Sequence, residues 1–391
     1  MKQKVIFILL SMVLFGCQSD SQQSKTGKLV EIDISGNHPL KELHIQTVAN
    51  VEYVPLETTD DFLLGSNPML SHISDNYILV WQSSGDIFIF NRDGKAISYF
   101  NHRGNGPKEY VRISNVLFDE NNEEIFVNTN LSRILVYSPT GDYKRTLSLP
   151  DDIRNMTVCN FDDKTILVYD ETGLQNNEYR EDPYLFVSKQ DGSIVSTLKF
   201  MLPVRYSNRM TSVSTDARGQ QISQPVRISI PNNKHYGEDF MIADISSDTI
   251  YRLTKSRDLV PMLVRKPSVH SSDPKTVLTS LLTTDKFMFL WKISFDLNAF
   301  RNNQNLYTSL MYEMETGKTY EVSLINDDIP SWTWVIDVDN LAIDKNMTAS
   351  LIDMFFLKNT HEEGKLNDKL EKLVETFDEE DNPVLMIVKF K

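Results

Sequence analysis

Apolar and polar positions alternate along most of this chain, and the alternation comes in short bursts. Tyr77-Ile78-Leu79-Val80-Trp81, Ile87-Phe88-Ile89-Phe90, Glu124-Ile125-Phe126-Val127, Ile134-Leu135-Val136-Tyr137, Thr165-Ile166-Leu167-Val168-Tyr169 and Tyr184-Leu185-Phe186-Val187 are runs of β-branched and aromatic residues bounded by turn chemistry. Between about residues 30 and 345 no stretch sustains the period of an amphipathic helix. The pattern predicts an all-β fold and argues against a parallel sheet with crossover helices.

A repeat sits inside these runs. An aromatic-containing strand is followed within a few residues by a turn such as Asp93-Gly94, Thr140-Gly141 or Asp191-Gly192, and then by another strand. Weaker copies are Asp248 to Leu253 and Leu310 to Gly317. Glycine supplies the positive φ of a tight hairpin. The spacing is about 50 residues at first and roughly 60 later, the length of one four-stranded propeller blade with its connections. Five hairpins are visible. Leu29 to Ile32 and Val51 to Val54 at the front, and Pro383 to Val388 at the back, supply further strand. An open stack would leave two sheet edges unpaired, so first and last strands are expected to share a blade, making six. A pair of β-sandwiches is the structural alternative, but it leaves the repeat unexplained.

Near the end, Leu366, Leu370, Leu373, Val374 and Phe377 fall on one helical face, predicting one short C-terminal helix clamped to the ring. At the start, Lys2 and Lys4 precede an apolar stretch from Val5 to Phe15 that is too short for a stable span and ends Leu14-Phe15-Gly16-Cys17. Residues 1–17 therefore read as a lipoprotein signal peptide with Cys17 as the lipidation site. Residues 18–28, Ser- and Gln-rich, read as a flexible tether, and residues 29–391 as the six-bladed β-propeller. With Cys17 acylated, Cys159 has no disulfide partner and reads as a buried small hydrophobe.

Composition changes this picture in one respect. The 391 residues carry a formal net charge of −14, which argues against nucleic acid as a partner and against electrostatic adhesion to anionic lipid.

Four segments carry a resemblance. His102-Arg103-Gly104-Asn105-Gly106-Pro107-Lys108-Glu109-Tyr110 resembles the G-x-G-P-x-E-Y/F loop of a bacterial six-bladed β-propeller lipoprotein family. Val54-Pro55-Leu56-Glu57 is similar to that family's opening strand, Ser247-Asp248-Thr249-Ile250-Tyr251 to its mid-chain strand, and Asp381-Asn382-Pro383-Val384-Leu385 to its terminal strand. The resemblance implies a propeller of the broad NHL/TolB-like kind on an exported outer-membrane lipoprotein, often associated with nutrient uptake. It implies no established activity and brings no catalytic residue. The polar stretch from Met201 to Phe240 is long for an inter-strand connection and is expected to be a face loop.

Candidate chemistry is sparse. In the loop, backbone N–H groups around Gly104 and Gly106 can make an anion nest beside Arg103 and Lys108, so Arg103, Asn105, Lys108, Glu109 and Tyr110 are the candidate binding residues. The structural alternative has Glu109 accepting hydrogen bonds from the neighbouring blade's backbone and Tyr110 packing between blades. The seven histidines do not cluster, and His361-Glu362-Glu363 reads as a polar loop. Asp378-Glu379-Glu380-Asp381 lacks the spacing of a known calcium loop and reads as a solvated turn. Trp332 and Trp334 share one strand face, as core or as a sugar platform. No G-x-S-x-G elbow occurs, and a carboxylate pair for glycoside chemistry is neither excluded nor located.

The expectation is a monomeric, lipid-anchored cell-envelope propeller acting as a binding or scaffold module for a glycan, peptide or outer-membrane partner. It has no assigned catalytic residue, metal ligand or cofactor. The alternative is a calcium-dependent lactonase/esterase or polysaccharide lyase working at the channel.

Overall fold

The structure, a computed structural model, describes residues 29–391 apart from 130, 173–179, 216–217, 229–232, 237–238, 331, 335, 337–340 and 345. Residues 1–28, with Cys17 and the segments expected as signal peptide and tether, lie outside the described residues.

Six four-stranded antiparallel blades follow one another around a ring. Blade 1 is Met69–Ile73, Tyr77–Trp81, Asp86–Asn91 and Ala96–Asn101. Blade 2 is Asn115–Asp119, Glu124–Asn128, Arg133–Tyr137 and Tyr143–Ser148. Blade 3 is Met156–Asn160, Thr165–Asp170, Tyr184–Ser188 and Ile194–Leu198. Blade 4 is Asn233–Tyr236, Asp239–Ile242, Thr249–Leu253 and Leu259–Lys266. Blade 5 is Thr276–Thr283, Phe287–Ser294, Tyr307–Glu313 and Lys318–Ile325. Blade 6 takes Leu341–Asp344, Met347–Ile352 and Val384–Phe390 from the end of the chain and Ala49–Pro55 from its beginning.

The five sequence repeats are the third strands of blades 1–5, each with the turn into the fourth strand. The sixth third strand, Val384–Phe390, has no such turn because its partner is Ala49–Pro55, paired antiparallel from Val384↔Pro55 to Phe390↔Ala49. The ends of the chain thus close the ring as the repeat count required.

The first strand read from the sequence, Leu29 to Ile32, does not join the closing blade, and a second strand beside it was not placed by the pattern. Val30–Asp33 adds to the outer strand of blade 4 in parallel, and Leu40–His44 does the same on blade 5. The chain from residue 30 to residue 55 is therefore a belt across the outer rims of three consecutive blades.

Among the described residues the buried apolar side chains fall into six clusters, one for each pair of neighbouring blades. Blade 1 shows the sorting. Ile78, Val80, Phe88 and Phe90 face blade 6, whereas Leu79, Trp81, Ile87 and Ile89 face blade 2. Second and third strands are covered on both faces, which is why they read as continuous apolar runs. The outer strand Ala96–Asn101 alternates because water reaches it.

Four short helices complete the described residues: α1, Ile45–Val48; α2, Leu297–Arg301; α3, Met354–Glu362; and α4, Asp368–Val374. α4 is the expected C-terminal helix. Leu370 and Val374 are buried, with Leu366, Leu373 and Phe377 packed beside them. α3 escaped the sequence pattern because it is short and leaves Phe355 57% exposed, blurring its apolar stripe. His361 and Glu362 consequently close a helix rather than occupy a polar loop. Asp378–Asp381 is an exposed turn in which the Asp381 N–H donates to the Asp378 carbonyl at 3.1 Å. Cys159 is half-buried against the blade 3–blade 4 core instead of fully buried.

Strand reversal sorts the connections by face. Those after first and third strands lie on one side of the ring and span two to five residues. Those after second and fourth strands lie on the other and include every long connection. Among these are residues 102–114, the 295–306 segment with α2, and the 353–383 segment with α3 and α4. The hairpin of Arg209–Thr215 and Gln221–Arg227, within the stretch expected as a face loop, joins the same side.

Candidate functional site

Among the connections, those of the long-loop face are the ones that leave large apolar side chains unpacked. Leu63, Val111, Leu131, Met201, Phe300 and Phe355 are large apolar residues on its connections, all at least 41% exposed. Among the described residues the short-loop face has no such exposed side chain in its turns. Isolated exposed apolar residues are ordinary, as Leu40, Ile97 and Val195 on the outer rim show; among the connections, their confinement to one face is what points to binding.

The loop of residues 102–110 bridges blades 1 and 2 on this face. Its ends are stitched by the Tyr110 N–H to the His102 carbonyl and the Gly104 N–H to the Tyr110 carbonyl, both 3.1 Å. The Tyr110 ring is wholly buried. Its hydroxyl donates to the Gly85 carbonyl at 2.7 Å and accepts from the His102 N–H at 2.9 Å, and burial raises its pKa. Tyr137 of blade 2 donates to the Lys108 carbonyl at 2.7 Å, and the Arg133 guanidinium donates to the Glu109 carbonyl at 3.1 Å.

The nest between the two glycines is filled from within. The Glu109 carboxylate accepts from the Gly106 N–H at 2.8 Å, and a Cβ on Gly104 would lie 1.9 Å from a Glu109 oxygen. Glu109 therefore braces its own loop rather than the neighbouring blade's backbone, while Tyr110 sits between blades. Arg103, Asn105 and Lys108 remain exposed, with Arg103 Nη1 donating to the Ser84 carbonyl at 3.4 Å.

Ser84 also lines the neighbouring feature, a cleft of about 530 Å³. Three separate segments build it: Asp60 to Ser66, the turn from Gln82 to Asp86, and the strand residues Phe88 and Tyr99. Asp60 and Asp61 occupy the tip of a tight turn in which Thr59 and Phe62 exchange backbone hydrogen bonds of 3.3 and 2.9 Å. The turn is clamped by Asn382, only 1% exposed. Asn382 Nδ2 donates to the Phe62 and Glu57 carbonyls at 2.7 and 2.8 Å, and its Oδ1 accepts from the Leu64 N–H at 2.7 Å. Glu57 in turn accepts from the Ala96 N–H at 2.9 Å. The segments Val54 to Glu57 and Asp381 to Leu385 thus meet here and hold one wall.

The opposite wall is fixed by Asp86. Its carboxylate accepts from the Ser84 hydroxyl, from the Tyr99 hydroxyl at 2.9 Å and from Asn101 Nδ2 at 2.8 Å. Burial opposes its ionisation, but these three hydrogen bonds outweigh burial and hold the carboxyl below the usual range. The Tyr99 ring lies 4.8 Å from Phe88 at 31° and 6.3 Å from Phe62, leaving it pinned yet 42% exposed. The sequence pattern did not single out Asp60, Asp61, Asp86 or Tyr99. The one local signal was an acidic doublet just after Val54 to Glu57.

Trp332 is half-buried, its ring 5.7 Å from Phe356, which is a core position; the side chain of Trp334 lies outside the described residues. Among the described residues no three His, Cys, Asp or Glu side chains are grouped to hold a metal ion, and no helix is long and apolar enough to cross a membrane.

The fold recurs in solved structures. A protein of Bacteroides fragilis NCTC 9343, described as a candidate exported protein, is similar over 93% of this chain and 99% of its own, at 16% identity and a TM-score of 0.62. A virginiamycin B lyase of Staphylococcus aureus shares 10% identity over 86% of this chain and 99% of its own, at a TM-score of 0.39. BamB of Moraxella catarrhalis shares 9% over 88% of this chain and all of its own, at 0.38. No curated protein matches the sequence. Residues 29–389 match the family described as a domain of unknown function, DUF4934, and the chain belongs to that family.

Proposed function

We propose that the protein is a lipid-anchored cell-envelope binding or scaffold module whose long-loop face meets a glycan, peptide or outer-membrane partner. The observation that carries this reading is the one-sided distribution of long connections and of the exposed apolar side chains they carry, with a cleft on that side. The lipobox-like Leu14-Phe15-Gly16-Cys17 supports anchoring through Cys17. The description of the Bacteroides fragilis structure as a candidate exported protein agrees with an envelope address.

Two measurements test the reading. The wild-type chain in its native host incorporates labelled fatty acid and fractionates with membranes, and the Cys17→Ala chain does neither. The detergent-solubilised chain, passed over glycan and peptide arrays and used to capture envelope proteins, retains a ligand that the Leu63→Glu, Leu131→Glu double variant loses. Absence of any ligand from both screens, or capture unchanged in the double variant, refutes the assignment of the face.

A further inference from the structure

The cleft beside Asp86 combines a fixed aromatic face with carboxylates that form no ion pair, although the Arg103 guanidinium stands at one rim, donating to the Ser84 carbonyl at 3.4 Å. Its volume, about 530 Å³, lies within the range of small-molecule pockets. Among the described residues Asp60, Asp61 and Asp86 are in no ion pair. Asp60 and Asp61 are exposed, so water and ligand reach them equally. The wall between them and Asp86 is the exposed ring of Tyr99, held in place by Phe88, Phe62 and the hydrogen bond to Asp86. Leu63, 54% exposed, supplies an apolar patch at the mouth.

This chemistry selects a ligand class. The three carboxylates are not grouped closely enough to share a metal ion, so the cleft does not read as a cation-sized point. Asp86 already accepts three hydrogen bonds, and Tyr99 and Ser84 donate theirs to it, so apart from the Ser66 and Ser83 hydroxyls the side chains of the lining offer mainly acceptors. A cationic nitrogen with several N–H groups matches acceptors spread over two walls. A ring face beside the charge adds cation–π attraction, and Leu63 and Tyr99 together suit an alkyl stem.

We infer that the cleft binds an organic cation, an ammonium or guanidinium group on a short alkyl stem, lodged between Asp60 and Asp61 on one side and Tyr99 and Asp86 on the other. The inference rests on the long-loop face being the binding face and names the chemistry of one site on it. The group can arrive on a free amine or as the Lys or Arg side chain of a peptide.

Calorimetric titration of the intact, detergent-solubilised chain distinguishes these sources. Agmatine and cadaverine probe the free amine; N-acetyl-arginine amide and N-acetyl-lysine amide probe the peptide-borne group. Saturable binding is expected from at least one pair, with the tighter pair identifying the source. Asp60→Asn, Asp61→Asn should weaken it roughly five- to tenfold, and added salt should weaken it as well. Tyr99→Leu should weaken it in high salt, where Tyr99→Phe retains it. Because Asp60 and Asp61 sit exposed at a turn tip, their double variant should melt with the wild type. No saturable binding by any of the four probes overturns the inference, as does undiminished affinity in the folded double variant. If neutral glycans or partner proteins still bind the loop face in either case, the site chemistry fails while the face assignment stands.

Discussion

Gly94 tests how the ring is assembled. It has φ +82° in the turn between the third and fourth strands of blade 1, and a Cβ there would lie 2.1 Å from the carbonyl oxygen of Pro55. That oxygen belongs to the outer strand of blade 6, so the turn of one blade leans on the backbone of the blade before it. Gly192 repeats the arrangement, its Cβ position 2.9 Å from the Ser148 nitrogen at the end of blade 2. Gly317 has φ +67°, but a Cβ there would meet only the Tyr312 hydroxyl at 3.6 Å, an ordinary contact.

Gly317→Ala should therefore cost only the positive-φ strain, about 1 kcal/mol. Gly94→Ala adds a collision with backbone that no rotamer can relieve. Overpacking of this kind costs about 1–3 kcal/mol more, for a total of about 2–4 kcal/mol. Urea unfolding followed by far-UV circular dichroism, with both variants at equal concentration, gives the comparison. Equal losses in the two variants would refute the claim that these turns are seated on the preceding blade.

Three further predictions follow from the same contacts. Tyr110→Phe strands the His102 N–H and the Gly85 carbonyl beneath the 102–110 loop and should cost about 1–3 kcal/mol in urea unfolding, with the loop's amide exchange accelerated. Asn382→Ala removes the clamp on the Asp60–Asp61 turn; it should cost a similar amount, about 1–3 kcal/mol, and loosen the cleft, read as faster exchange at Leu64. Burial opposes ionisation of Glu124, but its pairing with Arg145 holds the carboxyl below its ordinary 4.5. Its folded pKa is thus depressed, so its stabilisation is complete above pH 4.5 and fades as pH falls through the folded value. Glu124→Gln should lower the melting temperature at pH 7 and flatten its decline below pH 4.5.

The fold was readable because its units repeat. In blades 1 to 3 the third strand is apolar on both faces and ends in a turn whose chemistry is visible in the sequence, so Ile87 to Gly94 announces a blade without its neighbours. Closure was readable because Val51 to Val54 and Val384 to Val388 had no other edge to pair with. The belt was only half readable: Leu29 to Ile32 read as strand but not its partner, and Leu40–His44 was missed, because the parallel partners of both lie more than two hundred residues away.

The candidate site divides in the same way. The 102–110 loop is contiguous and its glycines advertise a turn, although the occupant of the nest, Glu109, was visible only in three dimensions. The cleft draws Asp60, Asp86 and Tyr99 from three segments brought together by Asn382 and blade pairing, and no spacing within one segment encodes that meeting.

Site-specific photo-crosslinking in the native host tests the central claim most directly, with benzoylphenylalanine placed at Leu63, Val111 and Leu131 on the long-loop face and at Asn122, Asp163 and Lys286 on the opposite one. Discrete partner adducts are expected from the first three positions alone. Adducts confined to Asn122, Asp163 and Lys286 would contradict it.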